Sequence, residues 1–325
     1  MNTTNLFGNH RRRTPARAVW IGFLTLAAAY SVAAGPSKAP QIQTEIDRHH
    51  LGWRAGETTI SALPPAERKL RLGGRIPADF VTASGLIDLT ALPGNSRVPS
   101  SLDWRSVNGV NWMTGVRDQQ SCGSCWAFGT IAAVEAIFNI EKNTTALPLD
   151  LSEQHLVSCS GAGNCAEGGY DHLAAEYIRT SGVPLETCYP YSAIDASCSP
   201  CTDWTENRFR ILDWGWVTQN YSDETAIINA LQSGPLVVWL EVYDDFYYYT
   251  GGVYHKTPGA SYEGGHNVAL VGYDTAGHYW ICKNSWGTGW GDHGYFLIGH
   301  EEVGMGQWVL RMAGVRYTKK SDGIL

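Results

Sequence analysis

A chain of 325 residues with 44% hydrophobic and 17% charged residues has enough apolar material for one or two ordinary cores, which excludes a disordered protein and a bundle of membrane spans. Its formal net charge is −7, and the negative charge is gathered beyond residue 97. Such an acidic body excludes nucleic acid and anionic membranes as partners.

At the amino end, Arg11, Arg12, Arg13 and Arg17 precede an apolar run from Ala18 to Ala34 that closes on small residues before Gly35. This is the layout of a signal peptide over residues 1–34, and the run is too short and too rich in alanine for a comfortable membrane span. The paired arginines permit twin-arginine export. A secreted or otherwise extracytoplasmic protein is expected, with no membrane attachment after signal removal. In that setting disulfides are chemically reasonable for cysteines that all lie beyond residue 120. Residues 35–97 carry Pro64-Pro65, Gly73-Gly74, Pro77 and Pro93-Gly94 amid basic residues, and they read as a linker-like pro-region, not a folded domain.

After Val98 the texture changes. Phe128, Ile131, Val134, Ile137 and Phe138 fall at helical spacing between Ser124 and Lys142, which predicts a helix. A second helix is predicted from Ser152, where a capping hydroxyl precedes Gln154, and a third over 171–179. Beyond about residue 207 come short β-rich runs at 235–242, 267–274, 279–285 and 294–299, separated by glycines. Helices first and strands afterwards predict an α+β protein of two lobes, a helical one over 98–206 and a β-rich one over 207–325. No internal repeat of solenoid period is visible.

The densest chemistry lies in RDQQSCGSCWAF, residues 117–128, which puts Cys122 and Cys125 at the start of the first predicted helix. Three readings compete: a redox pair, half of a zinc site, and a nucleophile beside a structural disulfide. Zinc needs a second ligand pair that the remaining cysteines and histidines do not supply, so no metal or cofactor is expected. The redox reading lacks its βαβ frame. The third has a physical rationale, because a cysteine in a first helical turn faces unsatisfied backbone donors and the positive end of the dipole, which favour its thiolate. Gln119 could place an amide beside that sulfur and stabilise an oxyanion, a role worth about 3 kcal/mol of barrier in a comparable serine system.

At this point the chain resembles the papain and cathepsin family of cysteine proteases. CGSCW preceded by Gln119 is similar to the family's active-site peptide. GGHNVALVGYD at 264–274 resembles its histidine segment, and KNSWGTGWGDHGYF at 283–296 its asparagine segment. The resemblance implies a two-lobe fold, with a helical left lobe, a β-barrel-like right lobe and the active-site cleft between them. It implies Cys125 as nucleophile, His266 as its proton partner, Asn284 orienting that ring, and Trp286 shielding their hydrogen bond from water. It also implies the disulfides Cys122–Cys165, Cys159–Cys198 and Cys188–Cys201, with Cys282 left over and buried.

Peptide or protein substrates would lie along Gly168-Gly169, with Tyr170, Gly264, Gly265 and Trp286 lining the cleft. Asp171, Trp239 and Trp308 are candidates for the pocket two residues ahead of the scissile bond. Stretches at 46–56 and 67–74 resemble the short pro-peptide of cathepsin B-like proteases, which implies a zymogen, expected to be a monomer, that its own pro-peptide inhibits. Gly265 stands where Asn or Asp is commoner, and Ala166-Glu167 lengthens the loop before the glycine pair. No insertion with paired histidines separates Cys165 from Cys188, so endopeptidase action is favoured. The alternative is a non-catalytic binding protein of the same fold; retention of Gln119, Cys125, His266 and Asn284 together speaks against it.

Overall fold

The structure is a computed structural model and describes residues 37–82, 98–145 and 149–319. The expected signal peptide and residues 83–97, ahead of the expected junction, lie outside them. Residues 37–82 differ from a linker. Helix α1 (Ala39–His49) starts with a proline in its first turn and ends on His50, whose left-handed φ of 54° lets its N–H close on the carbonyls of Asp47 and Ile46. Ile42 and Ile46 lie one turn apart and pack on the main core, Ile46 being fully buried. Strand β1 (Trp53–Ala55) pairs antiparallel with residues 249–252 of the main sheet, and helix α2 (Pro65–Lys69) follows. These few apolar residues could not support a core alone, so the sequence reads as a linker; they are ordered because they dock on a core that already exists.

The helical lobe contains strand β2 (Ser101–Asp103), helices α3 (Cys125–Lys142) and α4 (Glu153–Cys159), the short strands β3 (Gly163–Asn164) and β4 (Gly168–Gly169), and helix α5 (Asp171–Thr180). From Cys125 to Asn139, α3 is buried on every face, as expected of a helix wrapped by its lobe. Trp126, Ile131, Val134 and Phe138 pack with Leu156, Ala174 and Ile178. Ser152 caps α4 by accepting the His155 N–H at 3.0 Å. This core also takes Trp214, Val237, Leu310 and Met312 from strands of the other lobe.

The β lobe adds β5 (Arg208–Arg210), β6 (Asp213–Gln219), α6 (Glu224–Leu231), β7 (Leu236–Tyr243), β8 (Tyr249–Tyr254), β9 (Tyr262–Asp274), β10 (Tyr279–Lys283), β11 (Tyr295–Gly299), β12 (Trp308–Ala313) and β13 (Arg316–Thr318). Its nine-stranded sheet runs β1-β8-β11-β10-β9-β7-β12-β6, with β2 on β9. The path is open, so the β-barrel-like lobe of the expectation is a long twisted sheet that does not close among the described residues. The two-lobe α+β architecture is otherwise present. The 13-residue β9 begins earlier than the predicted run and carries Gly264, Gly265 and His266 within it, with His266 opposite Leu240 of β7. Three disulfides, Cys122–Cys165, Cys159–Cys198 and Cys188–Cys201, stitch the loops of the helical lobe.

Candidate active site

Cys125 opens α3 and is fully buried. Backbone N–H groups of Asn267, Gly73, Trp126 and Cys125 itself point at its sulfur and favour the thiolate, yet burial outweighs them and pushes the thiol up to about 11. Asn267 belongs to β9 and Gly73 to the pro-region, so the sulfur sits where the helix end, the β lobe and the pro-segment meet. Burial therefore disfavours, in this form, the ionised sulfur expected at a helix end, and Gly73 is among the residues that enclose it.

His266 is buried, and its Nε2 donates to Asn284 Oδ1 at 2.8 Å. Asn284 Oδ1 also accepts the N–H of Ser285 at 2.8 Å. With Nε2 carrying the hydrogen, Nδ1 presents a lone pair, and it is a buried nitrogen without a hydrogen-bond partner. Trp286, also fully buried, lies with its ring 4.8 Å from the imidazole and covers that bond. Burial holds the ring down at about 4, only partly offset by Asn284. The sulfur and the imidazole are thus both neutral here, and an arrangement of this kind can pass one proton from thiol to ring once the sulfur is resolvated.

Gln119 is clamped across the lobes. Its Oε1 accepts from Ser285 Oγ at 2.7 Å and its N–H donates to the Ser285 carbonyl at 2.9 Å. Its amide Nε2 donates to the carbonyls of Cys122 at 2.8 Å and of Arg71 at 3.0 Å. The amide thereby already holds a carbonyl oxygen of the pro-segment.

That segment threads the cleft. The Gly73 carbonyl accepts from the Gly169 N–H at 2.8 Å, and the Gly169 carbonyl accepts from Arg75 at 3.0 Å. Gly74 donates to the Gly265 carbonyl at 3.0 Å and accepts from Trp239 Nε1 at 3.0 Å. A side chain at Gly73 would fall on the Gly123 carbonyl, and one at Gly74 would meet Asn267 Oδ1 at 2.5 Å and the His266 carbonyl carbon at 2.7 Å. Only glycine passes between these backbones. Leu72 faces Gly264, Gly168 abuts the Gly73 carbonyl, and the Arg75 guanidinium lies 5.1 Å from the Tyr170 ring centre. The structure therefore brings Gly168, Gly169, Tyr170, Gly264 and Gly265 to one groove.

Of the pocket candidates, Trp239 faces the groove. Asp171 is buried, its carboxylate accepting from Asn267 Nδ2 at 3.0 Å and from the His172 N–H at 2.7 Å. Trp308 packs edge-on to Trp216 at 5.6 Å. Sequence reasoning passed over Asn267, Ser285, Arg71 and Asp118. The first two adjoin motif residues, which was the signal available. Arg71 is nearly buried and pairs with Asp118 at 2.5 Å; a lone basic residue ahead of a glycine pair carries no such signal.

Comparison with known proteins bears on this geometry. Residues 98–311 match the model of the papain family cysteine proteases. The chain is 38% identical over 211 residues to the KDEL-tailed cysteine endopeptidase of Arabidopsis thaliana, covering 63% of this chain and 55% of that protein. It is also 38% identical over 211 residues to the cathepsin L-like peptidase of Aedes aegypti, covering 62% and 59%. The match thus spans little more than half of these relatives' length. Among solved structures, the digestive procathepsin L2 proteinase of the Tenebrio molitor larval midgut superposes with a TM-score of 0.69 at 28% identity, covering 85% of this chain and 89% of that one. The recombinant stem bromelain precursor gives 0.66 at 28%, covering 84% and 87%. A family match across most of the region after Val98, together with likeness to solved precursors that extends into the pro-region, leads to one conclusion: the chain belongs to the papain family of cysteine proteases.

Proposed function

We propose that the protein is an exported cysteine endopeptidase made as a zymogen, in which residues 1–34 direct export, residues 35–97 inhibit, and the two lobes over 98–206 and 207–325 carry out peptide-bond hydrolysis. The observation that supports it best is that Cys125 stands at a helix end with its sulfur facing the backbone of Asn267, next to an imidazole fixed by Asn284 with its second nitrogen unpartnered, while a Gly-Gly segment bonded to Gly169 and Gly265 passes close to both.

In this reading, departure of the pro-segment lets water reach the sulfur, and its proton moves to Nδ1 of His266. The thiolate attacks the peptide carbonyl carbon, and the resulting oxyanion takes the amide hydrogen of Gln119 that Arg71 vacates, together with the backbone N–H of Cys125. His266 returns the proton to the leaving amine, the C–N bond breaks, and a thioester remains. Water, deprotonated by the same imidazole, then attacks the thioester, and the carboxylic acid leaves as the thiol re-forms.

The test is cleavage of a library of fluorogenic peptides by the processed full-length protein, with Cys125→Ala as control. Cleavage by the wild type, abolished by that substitution and by an epoxide thiol reagent, is expected. Wild-type protein that alkylates at Cys125 yet cleaves no member of the library would favour the non-catalytic binder.

A further inference from the structure

Resting on the protease reading above, we propose that Tyr191 is a positioning residue of the reaction, its hydroxyl fixing the oxyanion donor Gln119 relative to the first turn of α3 that carries Cys125. The phenol donates to the backbone carbonyl of Gln119 at 2.8 Å and lies 2.7 Å from Ser124 Oγ. A phenol has a single proton. With that proton on the carbonyl, Ser124 is the donor in the second bond. Ser124 occupies the N-cap of α3, where a serine ordinarily accepts an N–H of the first turn, and here it caps nothing. A local rule is broken at the nucleophile, and the hydroxyl goes to Tyr191 instead.

The base on which Tyr191 stands is rigid. Its N–H donates to Glu186 Oε1 at 2.6 Å, its ring meets Phe128 edge-on at 4.8 Å, and the next residue, Ser192, is held by Gln154 Oε1 at 2.9 Å. One hydroxyl thus spans the loop from Gln119 to Ser124. Ser285 fixes the side chain of Gln119 from the β lobe, and Tyr191 fixes its backbone from the helical lobe. A donor that must sit within a few tenths of an ångström of a developing oxyanion needs both.

The experiment compares the self-processed full-length protein with Tyr191→Phe and Ser124→Ala. Tyr191→Phe is expected to lower kcat about tenfold with KM little changed, the mark of an interaction realised only in the transition state. Affinity for a peptide aldehyde, whose adduct with the sulfur carries a tetrahedral oxygen, should fall by the same factor. Alkylation of Cys125 by iodoacetamide, which builds no oxyanion, should stay at the wild-type rate. Ser124→Ala should show the same pattern at smaller amplitude, and the Tyr191→Phe loss should shrink in that background. Unchanged aldehyde affinity in Tyr191→Phe overturns the proposal. So does a parallel fall of aldehyde affinity and alkylation, or failure of Tyr191→Phe to mature, since the phenol would then serve folding. An active wild type with unaffected variants removes only this inference, whereas an inactive wild type removes the protease reading beneath it.

Discussion

At the scale of single residues, the proposed chemistry and the proposed inhibition use the same atoms. The Gln119 amide, proposed to receive an oxyanion, holds the Arg71 carbonyl, and the Cys125 sulfur receives the Gly73 N–H. Gln119→Ala should therefore lower kcat by about 100-fold, as for removal of one oxyanion donor, and should also loosen the pro-segment. Steady-state kinetics and the alkylation rate of the unprocessed chain measure the two effects separately. Gly73 offers the converse. A methyl group there must push against backbone, an overpacking penalty of about 1–3 kcal/mol, so Gly73→Ala should raise the alkylation rate of Cys125 in the precursor by about 10–100-fold. An unchanged rate would mean that the glycine pair does not seal the cleft.

The residues that the motifs single out were legible because their chemistry is written in short strings: CGSCW, GGHN and KNSW. Asn267 and Ser285 stand inside those strings without a chemistry that marks them, and Tyr191 stands outside them. Their importance lies in hydrogen bonds to residues tens of positions away, such as Ser285 to Gln119 and Tyr191 to Gln119. The charge state of Cys125 was illegible for a related reason. A helix end argues for an ionised sulfur, but the sulfur is wholly buried in the folded chain, and burial outweighs the backbone donors that point at it.

At the scale of elements, the long, strongly patterned pieces could be read from the sequence, and the docked ones could not. Helix α3 and strands β7, β10 and β11 fall within a residue or two of their expected places. Helix α1 and strand β1 were missed because their order comes from contact with β8 and the core beneath it. Strand β9 was read too short, since its leading glycines look like loop until β7 supplies the pairing partner. The Cys122–Cys165 disulfide ties the nucleophile loop to the strand pair ending in Gly169, across a sequence separation of 43. Replacing both by serine should cost about 2–5 kcal/mol of stability, read as a lowered denaturation midpoint. Peptide affinity should weaken as well, because Gly168 and Gly169 lose their anchor.

At the scale of the whole molecule, closure of the pro-segment should be linked to protons, because Gly74 packs against the backbone of His266. The folded, closed chain holds His266 at about 4 against an ordinary 6.5. A lowered histidine disfavours protonation in the closed state, so its contribution to closure is complete above about 6.5 and is lost as the pH falls towards 4. The buried carboxylates Glu135 and Glu153 are shifted upward by burial and act with the opposite sign, favouring the folded chain at low pH. Opening should therefore be local to the cleft and not a global unfolding. In a Cys125→Ser precursor, hydrogen exchange of residues 72–76, corrected for intrinsic rates, should quicken as the pH drops through this window while α3 stays protected. Exchange that quickens equally in both regions would point to acid denaturation instead.

Trp53 of β1 is 2% exposed, donates its indole N–H to the His255 carbonyl at 2.9 Å, and has its ring 5.2 Å from Tyr254 and 6.1 Å from Tyr249. Under the proposed removal of residues 35–97, this indole should pass from an apolar nest into solvent and uncover the tyrosines it had roofed. The proposed maturation would thus carry its own optical gauge: emission should move to longer wavelength in step with processing. With 13 tryptophans in the chain the shift will be partial, and Trp53→Phe should erase that part of it.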